Sequence, residues 1–164
     1  MKTIRLAEAV PDRKGAASNS ENFAVRRFEV VDLGPFDNNR NDVLALNDRG
    51  QCAGVSFNPV TSRIEAFKQE NGTRSMLGTL GGAFSIARDL NNHGEVVGGS
   101  LTEGDENFHG FLYRNHQLHD LNDFLDPRAG WEVIQALGIN NHGEIIGIGC
   151  CTGQDRIVLL RPRT

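Results

Sequence analysis

The chain has 164 residues, enough for one domain with a real core. A net charge of -4 and a pI near 5.7 argue against the basic excess of a nucleic-acid-binding surface. Three cysteines leave at least one thiol unpaired within a monomer. With no apolar stretch long enough for an export signal or a membrane span, the expectation is a reduced, soluble, cytoplasmic protein without a membrane partner.

Residues 1–20 hold no sustained hydrophobic period, and the run Gly15-Ala16-Ala17-Ser18-Asn19-Ser20 reads as a flexible lead-in. Residues 21–164 form a single β-repeat domain. Its signature is an Asn-x-x-Gly turn between apolar runs, found at Asn47–Gly50, Asn91–Gly94 and Asn140–Gly143. Glycine supplies the positive φ that such a turn needs, and the Asn side chain can satisfy turn backbone groups. The turns lie 44 and 49 residues apart. A second Gly follows each Asn at the same offset (Gly54, Gly98, Gly147). An aromatic comes next in two copies, Phe67 and Phe111, with Val158 near that place in the third. A leucine closes the pattern at Leu77 and Leu121. A period of 40–50 residues is the mark of a repeat architecture.

Each repeat reads as four short strands. The first runs into the Asn, over 43–46, 85–90 and 133–139. The second leaves the Gly, over 51–56, 95–100 and 144–149. The third spans 64–68, 108–113 and 156–160, and the fourth 73–77 and 117–121. The last repeat stops after its third strand, while 28–33 has the character of a spare fourth one. The fold expected is therefore all-β: three four-stranded antiparallel units, repeats about 35–78, 79–122 and 123–164 plus 21–34, the last closed by pairing 28–33 with 156–161. Such closure hides an otherwise unpaired edge.

These motifs resemble the HAF-repeat family. The stretch Met76-Leu77-Gly78-Thr79-Leu80-Gly81-Gly82 is similar to its first element, Asn91-Asn92-His93-Gly94-Glu95-Val96-Val97-Gly98 to its second, and His109-Gly110-Phe111 to its third. The resemblance implies propeller-type blades, brings no catalytic residues, and belongs to a family often described as extracellular, whereas no export signal is read here. Propellers usually have about four to eight blades. Three repeats leave two solutions: a homodimer building a six-bladed ring, or a pseudo-threefold, prism- or trefoil-like monomer.

No residue set forms a recognised catalytic signature, and no cofactor or metal set is read. His93 and His142 sit beside turn glycines. His116 and His119 fall on opposite faces of an expected strand. Cys150 and Cys151 are placed in a loop without a base beside them. The loops expected on one side of the repeats carry the better candidates, because loops on a rigid scaffold usually carry function. They hold Phe36, Arg40, Arg63, Phe84, Asp105, Asp126, Arg128 and Trp131. Trp131, the single tryptophan, with Arg and Asp around it suits a small polar or glycan-like ligand, or equally a plug between sheets. The function expected is a module binding a small molecule, a glycan or a protein. The alternative is a small acid–base isomerase, cyclase or hydrolase with its pocket on the loop side or at a subunit junction.

Overall fold

A computed structural model of the chain describes residues 28–32 and 42–163. The chain divides into two units, Met1–Asp32 and Leu33–Thr164. Of the first, residues 28–32 are irregular and exposed. The fourth strand expected over 28–33 is thus not formed within the described residues. The 1–20 lead-in and the 34–41 loop lie outside them.

The second unit is all-β. Its strands are β1 (Asp42–Leu46), β2 (Cys52–Asn58), β3 (Arg63–Glu70), β4 (Thr73–Gly78), β5 (Gly81–Leu90), β6 (Val96–Thr102), β7 (Phe108–Arg114), β8 (Gln117–Asp120), β9 (Trp131–Ile139), β10 (Ile145–Cys151) and β11 (Gln154–Leu160). Strands β1 to β4 and β5 to β8 each form an antiparallel meander, and one parallel bridge, Ile64 to Phe84, joins the two into a mixed eight-stranded sheet. A separate three-stranded sheet has the order β11-β10-β9. The sequence led us to expect three separate four-stranded units with a closed end. The structure instead fuses the first two repeats at one point and, among the described residues, gives the third three strands. Among the described residues, the outer edges of β1 and β11 have no strand partner. Among the described residues, no helix is long and apolar enough to cross a membrane.

The Asn-x-x-Gly turns show why their residues recur. The Asn91 Oδ1 accepts the backbone N–H groups of His93 and Glu95, at 3.0 and 3.1 Å, and Gly94 closes the turn with φ +78°. Asn47 and Asn140 make the same pair of bonds. The side-chain amide of each Asn points the other way, to the residue four places on: Gln51, Glu95 and Glu144. In the first two copies its second hydrogen reaches the following repeat. The Asn47 Nδ2 donates to the Asn91 carbonyl at 2.9 Å, and Asn91 Nδ2 to the Asn140 carbonyl at 3.2 Å. A second rung runs beside the first: Asp48 N–H to Asn92 Oδ1 at 3.0 Å, and Asn92 N–H to Asn141 Oδ1 at 2.8 Å. Local turn chemistry thereby becomes a ladder binding the three repeats in series.

Packing repeats in the same way. One core cluster lies between the first and second repeats and contains Ala53, Ala66, Leu77, Ala87, Leu90, Val96 and Phe111. The other lies between the second and third, with Val97, Leu112, Leu121, Val133, Ala136 and Ile145. The expected aromatics Phe67 and Phe111 are fully buried, and strand register assigns the third place to Val158. Each of the three sits opposite its repeat's second glycine, Gly54, Gly98 or Gly147. Those glycines are forced by close backbone approach. A Cβ there would lie 1.8 Å from the Asp42 carbonyl oxygen, 1.9 Å from that of Ile86 and 2.2 Å from that of Gln135. The first strand of each repeat is bulged near this point, which presses its carbonyl against the second strand.

Gly98→Ala should therefore lower the stability by about 3 kcal/mol or more, since backbone rather than a pliable side chain must move. Gly50→Ala has φ +72° but open space around its Cβ, and should cost only about 1 kcal/mol. Chemical denaturation of the two variants checks the order, and equal losses would contradict it.

Candidate functional site

Of the eight residues expected to line a ligand face, the structure describes six. Phe36 and Arg40 lie outside the described residues. Arg63 opens β3 and is exposed. Phe84 belongs to β5 rather than to a loop, because that strand begins at Gly81, and its ring stacks at a tilt on Phe108 with centroids 6.2 Å apart. Asp105 ties its loop to β5: its Oδ1 accepts the Ala83 N–H at 2.6 Å. Asp126 caps a short 3-10 helix, Pro127–Ala129, by accepting the Arg128 N–H at 3.0 Å, and the Arg128 side chain is almost fully exposed. Only Asp126 and Trp131 share a cavity.

That cavity has a volume of about 830 Å³. Its walls are mainly apolar, including Leu112, Leu121, Phe124, Trp131, Ile145 and Leu160, and it carries Arg114, Asp126, Arg161 and Arg163. It opens off the second core cluster, which supplies Leu112, Leu121, Val133 and Ile145. A smaller cleft of about 290 Å³ occupies the matching place one repeat earlier, with Lys68, Leu77, Gly94 and Tyr113 in the positions of Leu112, Leu121, Gly143 and Leu160. The difference in size has a plain cause. In the second repeat β8 follows β7 and packs Leu118 against the first core cluster. In the third repeat, among the described residues, no strand follows β11, so nothing fills the equivalent space. Trp131 is 41% exposed and walls this space instead of plugging a sheet interface.

Arg114 sits over the Phe124 ring, 5.9 Å from its centroid, and Arg161 Nε donates to Glu144 Oε1 at 3.0 Å. Hydrogen bonds from the Asn140 amide and then from Arg161 hold the Glu144 carboxyl below the usual glutamate range. A depressed carboxyl stabilises the fold above its ordinary pKa, and the contribution is lost as pH falls through the folded value.

A second cluster lies at the start of β9. The His109 ring has a carboxylate at each nitrogen, Asp120 at 2.5 Å on Nδ1 and Glu132 at 3.2 Å on Nε2. His109 and Asp120 are mostly buried, while Glu132 is half-exposed. The imidazole thus ties β7 and β8 to β9, in concert with Asn122, whose side chain pairs with the Val133 backbone like a short strand. Among the described residues no group of His, Cys, Asp and Glu is arranged to hold a metal. No spacing in the sequence signals Glu132, which comes from the next repeat.

Cys150 and Cys151 end β10 as half-buried free thiols, in a strand and not in the expected loop. Burial pushes the Cys52 thiol above its ordinary pKa, which leaves it unreactive. The chain matches no family model, no curated protein and no solved structure.

The Glu144 geometry makes an acid-limb prediction. As pH falls through and below the ordinary glutamate range, Glu144→Gln should lose less stability than the parent protein. Parallel slopes in denaturation midpoints against pH would contradict it.

Proposed function

We propose that the protein is a ligand-binding β-repeat module, built of propeller-type blades in the manner of the HAF-repeat family. The carrying observation is the cavity beside Trp131. Its volume falls in the range of small-molecule sites, and its apolar walls with a few charged groups have the usual composition of such sites. With Arg161 paired to Glu144, Arg114 and Arg163 stand against Asp126 at this site and favour an anion. The ligand class is therefore an amphipathic anion, its apolar body against Leu112, Leu121 and Trp131 and its charged end near Arg114, Arg161 or Arg163. The blade reading is supported by the antiparallel meanders and their serial packing.

An anionic aromatic dye, 8-anilinonaphthalene-1-sulfonate, is the first probe. The native protein should bind it at a single site with quenching of the lone tryptophan, and Trp131→Ala should weaken binding about tenfold. Absence of native-state binding, or binding that Trp131→Ala and Leu160→Ala leave unchanged, contradicts the assignment.

The enzyme reading has one observation in its favour, the His109 cluster. Acid–base work requires a nitrogen that can face a substrate, so Glu132 would have to swing aside. As a tie between repeats, the cluster predicts that His109→Asn destabilises the protein by about 2 kcal/mol, because Asp120 is left mostly buried without its partner. Unchanged or increased stability in thermal denaturation would instead favour a catalytic residue kept at the expense of stability.

A further inference from the structure

The two internal interfaces are built from the same positions, and the ends of the array carry the two halves of a third. Six places after the turn Asn stand Ala53, Val97 and Ile146. Ala53 and Val97 are fully buried in the two core clusters, whereas Ile146 is 48% exposed. Four places before the Asn stand Val43, Ala87 and Ala136. Ala87 and Ala136 are fully buried, and Val43 is 54% exposed. One place before it stand Leu46, Leu90 and Ile139. Leu90 is buried, Ile139 packs on the second cluster, and Leu46 is 71% exposed. The exposed members are apolar in every case. They divide cleanly, with Val43 and Leu46 on the first repeat and Ile146 on the last.

The turn ladder ends in the same asymmetric way. At the third repeat, donors are left over: the Asn140 amide donates only to Glu144, and the Asn141 N–H has no acceptor among the described residues. At the first repeat, acceptors are left over. Among the described residues, the Asn47 carbonyl takes only the Gly50 N–H, whereas those of Asn91 and Asn140 each take a preceding asparagine amide as well. Asp48, where the other turns have asparagine, has its Oδ2 taken by the Asn92 side-chain amide at 2.7 Å and offers Oδ1 to receive an Asn141 N–H. The donor end thus matches the acceptor end, and neither matches itself.

We infer that the third repeat of one copy docks on the first repeat of a second copy, with Ile146 packing against Val43 and Leu46 while Asn140 and Asn141 donate to Asn47 and Asp48 of its partner. The occupant is a second copy because the ladder's next acceptor must be an Asn-x-x-Gly turn that presents its own open end. Two copies joined reciprocally place six repeats in a ring, within the usual number of propeller blades. The inference goes beyond the ligand site, since it concerns the two ends of the array and not the Trp131 cavity.

The test is light scattering after size exclusion on the full chain, across a concentration series. The expected mass at high concentration is twice the 18.0 kDa of one chain. Val43→Glu and Ile146→Glu should each keep the fold, since both side chains are half-exposed, and each should run as a monomer. Leu159→Glu, on the same exposed end as Ile146, replaces Ile146→Glu if that variant fails to fold. Mixing Val43→Glu with Ile146→Glu should restore dimers, because one intact end survives on each. A wild-type monomer at the highest soluble concentration overturns the inference. So does a mixture that stays monomeric, or a dimer that both variants form as well as the wild type.

Discussion

One side chain used in two directions sets the architecture. The turn asparagine spends its oxygen on its own turn and its amide on the next one. Oxygen acceptance from two backbone N–H groups fixes the hairpin. Amide donation to the following turn fixes the spacing between repeats. A serine or aspartate could cap the turn, but neither carries an amide with two hydrogens to place. Asn91 is nearly fully buried, so each of its bonds is made away from competing water.

The glycines complete the constraint from the other side. The asparagine holds the repeats together at their turns, and the second glycine of each repeat lets the first strand press its carbonyl into the second strand. Small residues at Ala53, Ala66, Ala87 and Ala136 then let neighbouring repeats pack closely. The same rule produces the cavity. Where the fourth strand is present the cleft between repeats is small, and where β11 ends the sheet it widens beside Trp131.

Much of this was legible in the sequence. The offsets of Asn47, Asn91 and Asn140, of their glycines, and of Phe67 and Phe111 located the hairpins and the buried face, because turn chemistry and strand alternation are local. What failed was long-range. Residues 28–32 have strand-like composition yet no strand, since a strand needs a partner edge that composition does not supply. Phe84 looked like a loop residue because the glycines at 81 and 82 hid the start of β5. Asp105 and Asp126, read as ligand groups, are consumed by backbone N–H groups, Asp105 by Ala83 of β5 and Asp126 by Arg128 of its own loop. Glu132 was missed because its partner His109 belongs to another repeat, and no spacing rule joins them.

The central claim is that the asparagine ladder makes three hairpins one cooperative body. Hydrogen exchange followed by NMR at the Asn47 and Asn91 side-chain amides, and at the Asp48 and Asn92 backbone N–H groups, tests it most directly. The account predicts slow exchange at all four, with a common opening free energy equal to that of global unfolding. Fast and independent exchange at these sites, while the strand amides stay protected, would contradict it.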